Sequence, residues 1–360
     1  MDERWQRAQR ILIIRLDNLG DVILATPAIH AIRARLPSAR LTLLASPSGA
    51  QVAALDPDLD EVIVYRAPWM DPDHLLSQDP SREASMVAHL RRRGFDGAII
   101  FTSYHQSPLP AAYLSYQAGV PLRHAASIDG PGSLLTSRHR HPEKIMHEVE
   151  RGLDLVGGLG FEPSGDDLRI EPHAADHARM NALIARCRAD GPVVVIHPGC
   201  TCPSRTYPPD RYVEVARALQ REFAAQIFWT GAGSDAPIVE QIRQALANPG
   251  ISLVGQTSLS SLAALLAQAD LAITNNTGPM HLAAAVQTPV VVLFALTNPP
   301  AEWHPWKVPH RLLNQSVDCA ICYQRVCPFE QKCLRDVPIG DVVQAVSELR
   351  PSRWSERGAA

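Results

Sequence analysis

The sequence predicts an α/β protein made of two Rossmann-like, doubly wound domains in tandem, facing a central cleft. Three observations predict this class. Apolar runs of strand length alternate with segments of helical periodicity. The alternation restarts after an irregular stretch at 161–172 that contains glycine, prolines and charges. The 360 residues are also enough for two full cores.

The first half begins with ILIIRL, a continuous apolar run of the kind found in parallel strands buried on both faces. Strands are predicted at 11–16, 41–46, 61–65 and 96–101, and helices at 22–36, 82–93 and 146–160. We assign residues 1–165 to an N-terminal domain.

The second half repeats the pattern. Strands are predicted at 192–199, 226–231, 251–255, 271–275 and 289–294, and helices at 174–188, 209–223, 234–247 and 258–267. We assign residues 173–340 to a C-terminal domain and residues 341–360 to a C-terminal helix and tail.

Composition narrows the function classes. A net charge of −3 and a pI near 6.5 argue against nucleic-acid binding. The first ten residues are polar, and the apolar run that follows is too short for a secretory signal. No window approaches the ~20 apolar residues of a membrane span. We therefore expect a cytoplasmic protein whose seven cysteines are mostly reduced, or metal-bound where they cluster.

The segment LAITNNTGPMHLAAAV (271–286) passes from a strand through a polar turn into an alanine-rich helix. Thr277 or Asn276 can cap that helix, and Pro279 suits its first turn. Such a turn directs backbone N–H groups and the positive helix end at one spot, which suits a phosphate or diphosphate. An ordinary capped strand–helix junction is the alternative.

The segment RLDNLGDVILATP (15–27) places a carboxylate at the end of the first strand. Gly20 is expected to let the backbone bend there, and Asp21 to face the cleft, since ligands gather at the carboxyl ends of parallel strands. Asp21 is either a general base for an incoming hydroxyl or a simple helix N-cap. Asp17 is the other local candidate and is less well placed.

The second half offers further contacts for a nucleotide. In HPGCTCPSRTYPPDRY (197–212), Arg205 follows a strand, and its planar fork of donors suits phosphate oxygens, although a solvated surface arginine is the alternative. GAGSDA (231–236) follows a strand and superficially fits the glycine pattern of dinucleotide-binding folds, but no acidic residue lies ~20 positions later. We therefore interpret it as a nucleotide contact without hydride chemistry, with Asp235 holding ribose hydroxyls. His281 is a packed neutral histidine or a contact to the diphosphate or sugar.

Four cysteines lie within fifteen residues, with the spacing Cys319-x2-Cys322-x4-Cys327-x5-Cys333. A leading C-x-x-C and four thiols suit a tetrahedral structural zinc. The spacings are tighter than in common zinc ribbons, so reduced thiols that pack a surface loop are the alternative.

Taken together, RLDNLGDVILATPAI, HPG with SRTYPPDRY, and TNNTGPMHLAAAV resemble glycosyltransferase family 9, the ADP-heptose:lipopolysaccharide heptosyltransferases. The motifs occur in the family's order over nearly the whole chain. The resemblance implies the GT-B fold, with an acceptor-binding N-terminal domain, a nucleotide-sugar-binding C-terminal domain, and an inverting, metal-independent transfer that needs no cofactor.

The resemblance also implies roles for single residues. Asp21 matches the family's general base, and Arg205 stands where the family usually has a lysine on the donor diphosphate. The other matches hold the donor: Asp235 the ribose, Thr257 the adenine, and Asn276, Thr277 and Gly278 the phosphates. Many members have an acidic residue where this chain has Asn276, and the cysteine-rich segment suggests a side branch of the family.

The sequence therefore predicts transfer of a sugar, heptose first, from a nucleotide-diphosphate sugar to lipopolysaccharide or a related glycan. The acceptor would be a glycolipid or oligosaccharide, reached through peripheral contact with the inner membrane. Two alternatives keep the fold: a nucleotide-sugar epimerase or hydrolase, and a non-catalytic nucleotide-sugar binding module.

Overall fold

A computed structural model describes residues 3–71, 73–187 and 191–350. The chain divides into two compact units, Met1–Arg169 and Ile170–Ala360. The dividing point falls inside the stretch 161–172, which the sequence suggested as a linker. Residue 188, at the end of a predicted helix, and residues 351–360 of the predicted tail lie outside the described residues.

Unit 1 alternates strands and helices along the chain. Its elements are α1 (Glu3–Gln6), β1 (Arg10–Arg15), α2 (Leu19–Arg35), β2 (Arg40–Ala45), β3 (Glu61–Val64), α3 (Pro80–Arg93), β4 (Gly97–Ile100), α4 (Leu109–Gln117), β5 (Leu122–Ala126), β6 (Ser137–His139) and α5 (Glu148–Gly157).

Unit 2 repeats this alternation. Its elements are α6 (Ala174–Cys187), β7 (Val193–His197), α7 (Pro209–Phe223), β8 (Gln226–Trp229), α8 (Ala236–Gln244), β9 (Ile251–Ser252), α9 (Leu259–Leu266), β10 (Leu271–Asn275), α10 (Gly278–Ala285), β11 (Val290–Leu293), α11 (Pro300–Trp303), β12 (His310–Leu313), α12 (Lys332–Arg335) and α13 (Ile339–Leu349).

Each unit has one six-stranded sheet in which neighbouring strands pair in parallel. The strand orders are β3-β2-β1-β4-β5-β6 and β9-β8-β7-β10-β11-β12. Counted from its own first strand, each sheet therefore has the order 3-2-1-4-5-6. This is the Rossmann order, and the predicted fold class is confirmed. The order reverses between β1 and β4 in unit 1, and between β7 and β10 in unit 2.

The central strands hold the cores together. Residues 11–14 of β1 are at most 1% exposed, and Ile11 pairs with Leu41 on one side and with Gly97 on the other. The buried indole of Trp5 packs over Gly97, where a Cβ atom would lie 2.5 Å from Trp5 Cζ3. Continuous apolar strands were predictable because both faces of each sheet are covered by helices.

Several elements differ from the prediction. Helix α2 begins at Leu19 rather than near residue 22, so Gly20 lies in its first turn and does not bend the chain after β1. Strands β5, β6 and β12 and helix α4 were not predicted. The predicted C-terminal helix is α13, which begins at Ile339 rather than at residue 341 and packs into the core of unit 2 through Val342 and Val346.

Among the helices formed by the described residues, none combines the length and the apolar character required to cross a membrane.

The contact between Trp5 and Gly97 gives a test of the packing in unit 1. We expect Gly97→Ala to lower the free energy of unfolding by about 1–3 kcal/mol, because the new methyl group would overlap the buried indole. Denaturant unfolding measures the change. Gly130→Ala is the control, since a Cβ there meets nothing within 4 Å. An unchanged stability in Gly97→Ala would contradict this packing.

Candidate functional site

In unit 1, two polar side chains meet where the strand order reverses. Asp21 follows β1, Ser103 follows β4, and Ser103 Oγ lies 3.2 Å from Asp21 Oδ1. Asp21 is the third residue of α2, and its Oδ2 accepts a hydrogen bond from the backbone N–H of Asn18 at 3.0 Å. Asn18, rather than Asp21, therefore occupies the N-cap position, and the helix start orients the Asp21 carboxylate.

A buried guanidinium organises this site. Arg15 Nη2 lies 3.3 Å from Asp21 Oδ1 and 3.2 Å from Glu148 Oε2. Arg15 Nη2 also donates to Ser103 Oγ at 2.9 Å, and Arg15 Nε lies 3.1 Å from Asp17 Oδ2. The side chains of Arg15 and Glu148 are each 3% exposed. Buried charges of this kind are stable only when they are paired, so the four groups must be treated as one cluster.

Burial changes the proton affinity of two of these carboxyl groups. Burial raises the pKa of Glu148 to about 7, although the charges of Arg15 and Arg151 oppose the change. Burial likewise raises the pKa of Asp17 to about 6 against the opposing charge of Arg15. Near neutral pH, therefore, Glu148 exchanges a proton with solvent.

Asp21 lines a narrow cavity whose wall also contains Arg15, Glu148, Arg151 and His141. A second cavity, of about 610 Å³, shares His141 and Arg151 in its wall. The guanidinium of Arg151 stacks 4.1 Å from the ring centroid of Tyr104, which also lines the larger cavity. The Asp21 carboxylate therefore lies beside a space large enough for a sugar-sized ligand.

One histidine–carboxylate group borders these cavities. Asp154 Oδ2 lies 2.6 Å from His139 Nε2 and 2.7 Å from His141 Nδ1. Ligands of one metal ion at 2.0–2.2 Å are separated by about 3.0 Å or more, so these distances indicate hydrogen bonds. The carboxylate thus ties β6 and the following loop to α5.

In unit 2, a buried amide anchors the turn that follows β10. Asn275 Nδ2 donates to Pro198 O at 2.7 Å, and Asn275 Oδ1 accepts from the backbone N–H of Tyr207 at 3.0 Å and from the hydroxyl of Tyr212 at 3.2 Å. These bonds join the ends of β7 and β10 across the point where the strand order reverses. The sequence analysis did not single out Asn275.

The side chain of Asn276 holds the turn in shape. It is 3% exposed and bonds to both backbone groups of Ala295 and to Asn298 Oδ1, at 3.1–3.3 Å. The place of Asn276 in a phosphate-binding turn stays a prediction.

The next residues start α10 as the sequence predicted. Thr277 occupies the N-cap position, Gly278 begins the helix and Pro279 lies in its first turn. Within the part of the chain that the structure describes, the Thr277 hydroxyl makes no capping bond to the helix. Instead, the Thr277 hydroxyl interacts with the buried thiol of Cys200, whose pKa is raised by burial.

Arg205 lies close to this turn. Its Nε donates to Thr297 Oγ1 at 2.9 Å, which leaves the two terminal nitrogens of the fork directed away from that bond. Its charge lowers the pKa values of Cys200 and His281. A cation after β7 and a helix N-terminus after β10 suit an anion at this edge of the sheet.

His281 is buried on α10. Burial, together with the charges of His304 and Arg205, lowers the pKa of His281 to about 3, so the imidazole is neutral. Among the described residues, its Nδ1 has no hydrogen-bond partner. The packed neutral histidine considered from the sequence is what the structure contains, with one nitrogen left for a ligand.

Asp235 and Thr257 follow the outer strands. Asp235 Oδ2 accepts from the backbone N–H of Ala232 at 2.7 Å, and the carboxylate packs over Gly199 and Gly231 at the ends of β7 and β8. Thr257 is half-buried in the loop before α9, and its neighbour Ser258 caps that helix. Both stand at the carboxyl edge of the sheet, and their donor contacts remain predictions.

The cysteine segment does not form the predicted zinc site. Sulfurs on one tetrahedral zinc lie about 3.8 Å apart. Within residues 3–71, 73–187 and 191–350, one group of three metal-ligating side chains lies within 4.8 Å of one another: His139, His141 and Asp154. The four cysteines of the segment form no such group there. All seven cysteines are free thiols. The segment instead packs on the loop of Arg205, since the backbone N–H of Ser204 donates to Arg325 O at 3.1 Å.

The residues that sequence reasoning missed are those that hold others in place. Arg15 carried a usable signal, because a charge inside the apolar run ILIIRL must find partners when the strand is buried. Glu148, Ser103 and Cys200 carried none, since helix and loop positions with these side chains are usually exposed.

The sequence profile of glycosyltransferase family 9 (heptosyltransferase) matches residues 84–333, which is more than half of the chain. The chain belongs to glycosyltransferase family 9. It is therefore a glycosyltransferase, as the resemblance of its three motifs implied.

Among curated relatives of this family member, lipopolysaccharide heptosyltransferase 3 of Escherichia coli K12 is 24% identical over 92% of this chain and 95% of that protein. Lipooligosaccharide heptosyltransferase 2 of Haemophilus influenzae is 24% identical over 80% of this chain and 84% of that protein.

Solved structures show the same fold. A family 9 glycosyltransferase from Veillonella parvula has a TM-score of 0.77 at 21% identity and covers 95% of this chain and 97% of its own. E. coli ADP-heptose lipopolysaccharide heptosyltransferase II has a TM-score of 0.74 at 20% identity and covers 97% of this chain and 100% of its own. The predicted GT-B fold is confirmed.

Burial of His281 predicts a pH dependence of stability. In the folded protein its pKa is about 3, well below the ordinary value of 6.5, so the unfolded chain binds a proton that the folded protein does not. The stability gained by keeping His281 neutral is therefore fully present above pH 6.5 and is lost as the pH falls below that value. We expect His281→Leu to flatten the acid slope of the unfolding free energy by up to about 1.4 kcal/mol per pH unit.

Denaturant titrations from pH 4 to 7 measure this slope. Leu282→Ala, on the same helix and buried, is the control, since it removes packing without removing a titrating group. It should lower stability equally at every pH. Parallel slopes for wild type and His281→Leu would rule out a buried neutral His281.

Proposed function

We propose that this family 9 enzyme is an inverting, metal-independent heptosyltransferase that transfers heptose from ADP-heptose to lipopolysaccharide or a related surface glycan. The relatives support this donor and acceptor: two are lipopolysaccharide or lipooligosaccharide heptosyltransferases, and one similar structure is an ADP-heptose lipopolysaccharide heptosyltransferase. Another similar structure is of E. coli heptosyltransferase WaaC with ADP. The observation that carries the proposal is the Asp21 carboxylate, held by Arg15 and Ser103 in a cavity wall.

In the proposed mechanism, Asp21 is the general base. It takes the proton from the acceptor hydroxyl as that oxygen forms a bond to the anomeric carbon of the donor. The bond from the anomeric carbon to the diphosphate breaks at the same time, and the bonding electrons leave with ADP. Attack from the face opposite the leaving group inverts the configuration.

The donor groups come from unit 2. Arg205, the Thr277 hydroxyl and the N-terminus of α10 at Gly278 would neutralise the charge that develops on the departing diphosphate. They take the part that a bound Mg²⁺ has in metal-dependent transferases. His281 Nδ1 would add a contact, Asp235 would hold the ribose and Thr257 the adenine.

The acceptor side has its own chemistry. The cavity of about 610 Å³ beside Asp21 is lined by Arg140 and Arg151, by Asp129 and Glu143, and by serine and tyrosine side chains. Hydroxyls, carboxylates and guanidinium groups all form hydrogen bonds with sugar hydroxyls. A glycan acceptor fits this polar lining. A cytoplasmic location and peripheral contact with the inner membrane stay predictions.

The base assignment predicts a large kinetic effect. We expect Asp21→Asn to lower kcat for heptose transfer by ~10²–10⁴-fold, because the amide cannot accept the acceptor proton. ADP affinity should stay unchanged, since the nucleotide groups belong to the other unit. Product formation from ADP-heptose and calorimetric titration with ADP measure the two quantities, and assays with EDTA should give the same rates.

Asp17→Asn is the informative comparison, because it makes the same charge change beside the same guanidinium. A larger loss in Asp17→Asn than in Asp21→Asn would move the base to Asp17. Loss of activity in EDTA would contradict metal independence.

The diphosphate assignment predicts a change in binding. We expect Arg205→Met to weaken ADP affinity by roughly 10–100-fold, the value of one or two charge-assisted hydrogen bonds. The ADP affinity of Arg205→Lys should lie between those of wild type and Arg205→Met, since lysine keeps the charge and loses the fork of donors. Arg217→Met, an exposed arginine on α7, is the matched control. Equal ADP affinity in Arg205→Met and Arg217→Met would remove Arg205 from the donor site.

A further inference from the structure

We propose that Glu148 is a positioning residue that sets the basicity of Asp21 through the guanidinium of Arg15, which the two carboxylates share. This inference rests on the proposed function, in which Asp21 is the base. Glu148 itself lies on α5 and acts through Arg15.

The geometry is a fork with one shared nitrogen. Arg15 Nη2 lies 3.3 Å from Asp21 Oδ1 and 3.2 Å from Glu148 Oε2. The second oxygen of Glu148, Oε1, lies 3.1 Å from Arg151 Nε, so Glu148 is fixed from both sides. Any change in the charge of Glu148 is therefore transmitted to Asp21 through a single buried contact.

The surrounding charges leave the cluster short of cations. The charged and titratable groups of this cluster come from β1, the segment after it, α2, the loop after β6, and α5. They are Arg15, Asp17, Asp21, His141, Glu148 and Arg151. Burial lowers the pKa of His141, which favours the neutral imidazole. Two guanidinium groups thus face three carboxyl groups. This excess of negative charge favours protonation of one carboxyl group.

Glu148 is the group that binds it. Burial raises the pKa of Glu148 to about 7, and the charge of Asp21 contributes in the same direction. When Glu148 is ionised, it competes for Arg15 and repels negative charge on Asp21, which makes Asp21 the stronger base. When Glu148 is neutral, Arg15 acts on Asp21 alone and weakens it.

The test is the pH dependence of kcat/KM in Glu148→Gln, which keeps the shape and removes the charge. We expect the wild-type profile to contain a step near pH 7, where ionisation of Glu148 strengthens the base, and we expect Glu148→Gln to lack that step, because its side chain is neutral at every pH. The plateau of kcat should fall by less than about tenfold. The KM for ADP-heptose should not change.

Glu150→Gln is the matched control, with the same charge change on the same helix. Glu150 is exposed, and its carboxylate bonds to the backbone N–H of His147. Its pH profile should coincide with that of wild type. Glu148→Asp should keep the step near pH 7 even if its stability falls, since an ionisable carboxyl group is retained.

A lower melting temperature in Glu148→Gln with the step near pH 7 retained, or a wild-type profile without that step, would overturn the inference and leave Glu148 a structural residue. Should that variant not fold, difference infrared titration of the wild-type protein decides. A glutamate carboxyl titrating near pH 7 supports the inference, and its absence above pH 6 overturns it. Wild-type protein inactive with ADP-heptose would instead refute the proposed function.

Discussion

A parallel sheet whose strand order reverses at its centre leaves a crevice at the carboxyl ends of two neighbouring strands, because the following helices go to opposite faces. Both units of this protein obey that constraint. In unit 1 the crevice lies beyond β1 and β4, where Asp21 and Ser103 meet. In unit 2 it lies beyond β7 and β10, which Arg205 and Thr277 follow along the chain. Every further feature of the two sites depends on this placement.

The two crevices are held by different interactions. Unit 1 uses buried charge: Arg15 bridges three carboxylates, and the cluster keeps a proton near neutral pH. Unit 2 uses neutral amides: Asn275 and Asn276 satisfy their polar atoms inside the protein. The difference matches the chemistry proposed for each side. A base needs a tunable electrostatic environment, whereas an anion site needs a rigid frame with uncompensated positive charge.

Much of the fold was predictable because long apolar runs such as ILIIRL can only be buried parallel strands. Strand β5 escaped prediction since it buries Arg123 and His124, whose side chains bond to backbone and serine partners that only the folded chain supplies. Asp21 and Arg205 were found because the carboxyl ends of predicted strands are the expected ligand edge. The bonds of the Asn276 side chain to Ala295 and Asn298 were not predictable, because nothing in a turn sequence tells which way an amide points. A zinc site at the four cysteines was predicted from their spacing along the chain, which does not fix the distances between their sulfurs in space.

The packing around Asp235 limits how this sequence can vary. A Cβ atom at Gly199 would lie 2.2 Å from Asp235 Oδ2, and one at Gly231 would lie 2.9 Å from the same oxygen. No larger residue can enter either position while the aspartate stays where it is. Substitutions at these three positions are therefore coupled: among descendants of this chain, a side chain at 199 or 231 should occur together with a smaller residue at 235.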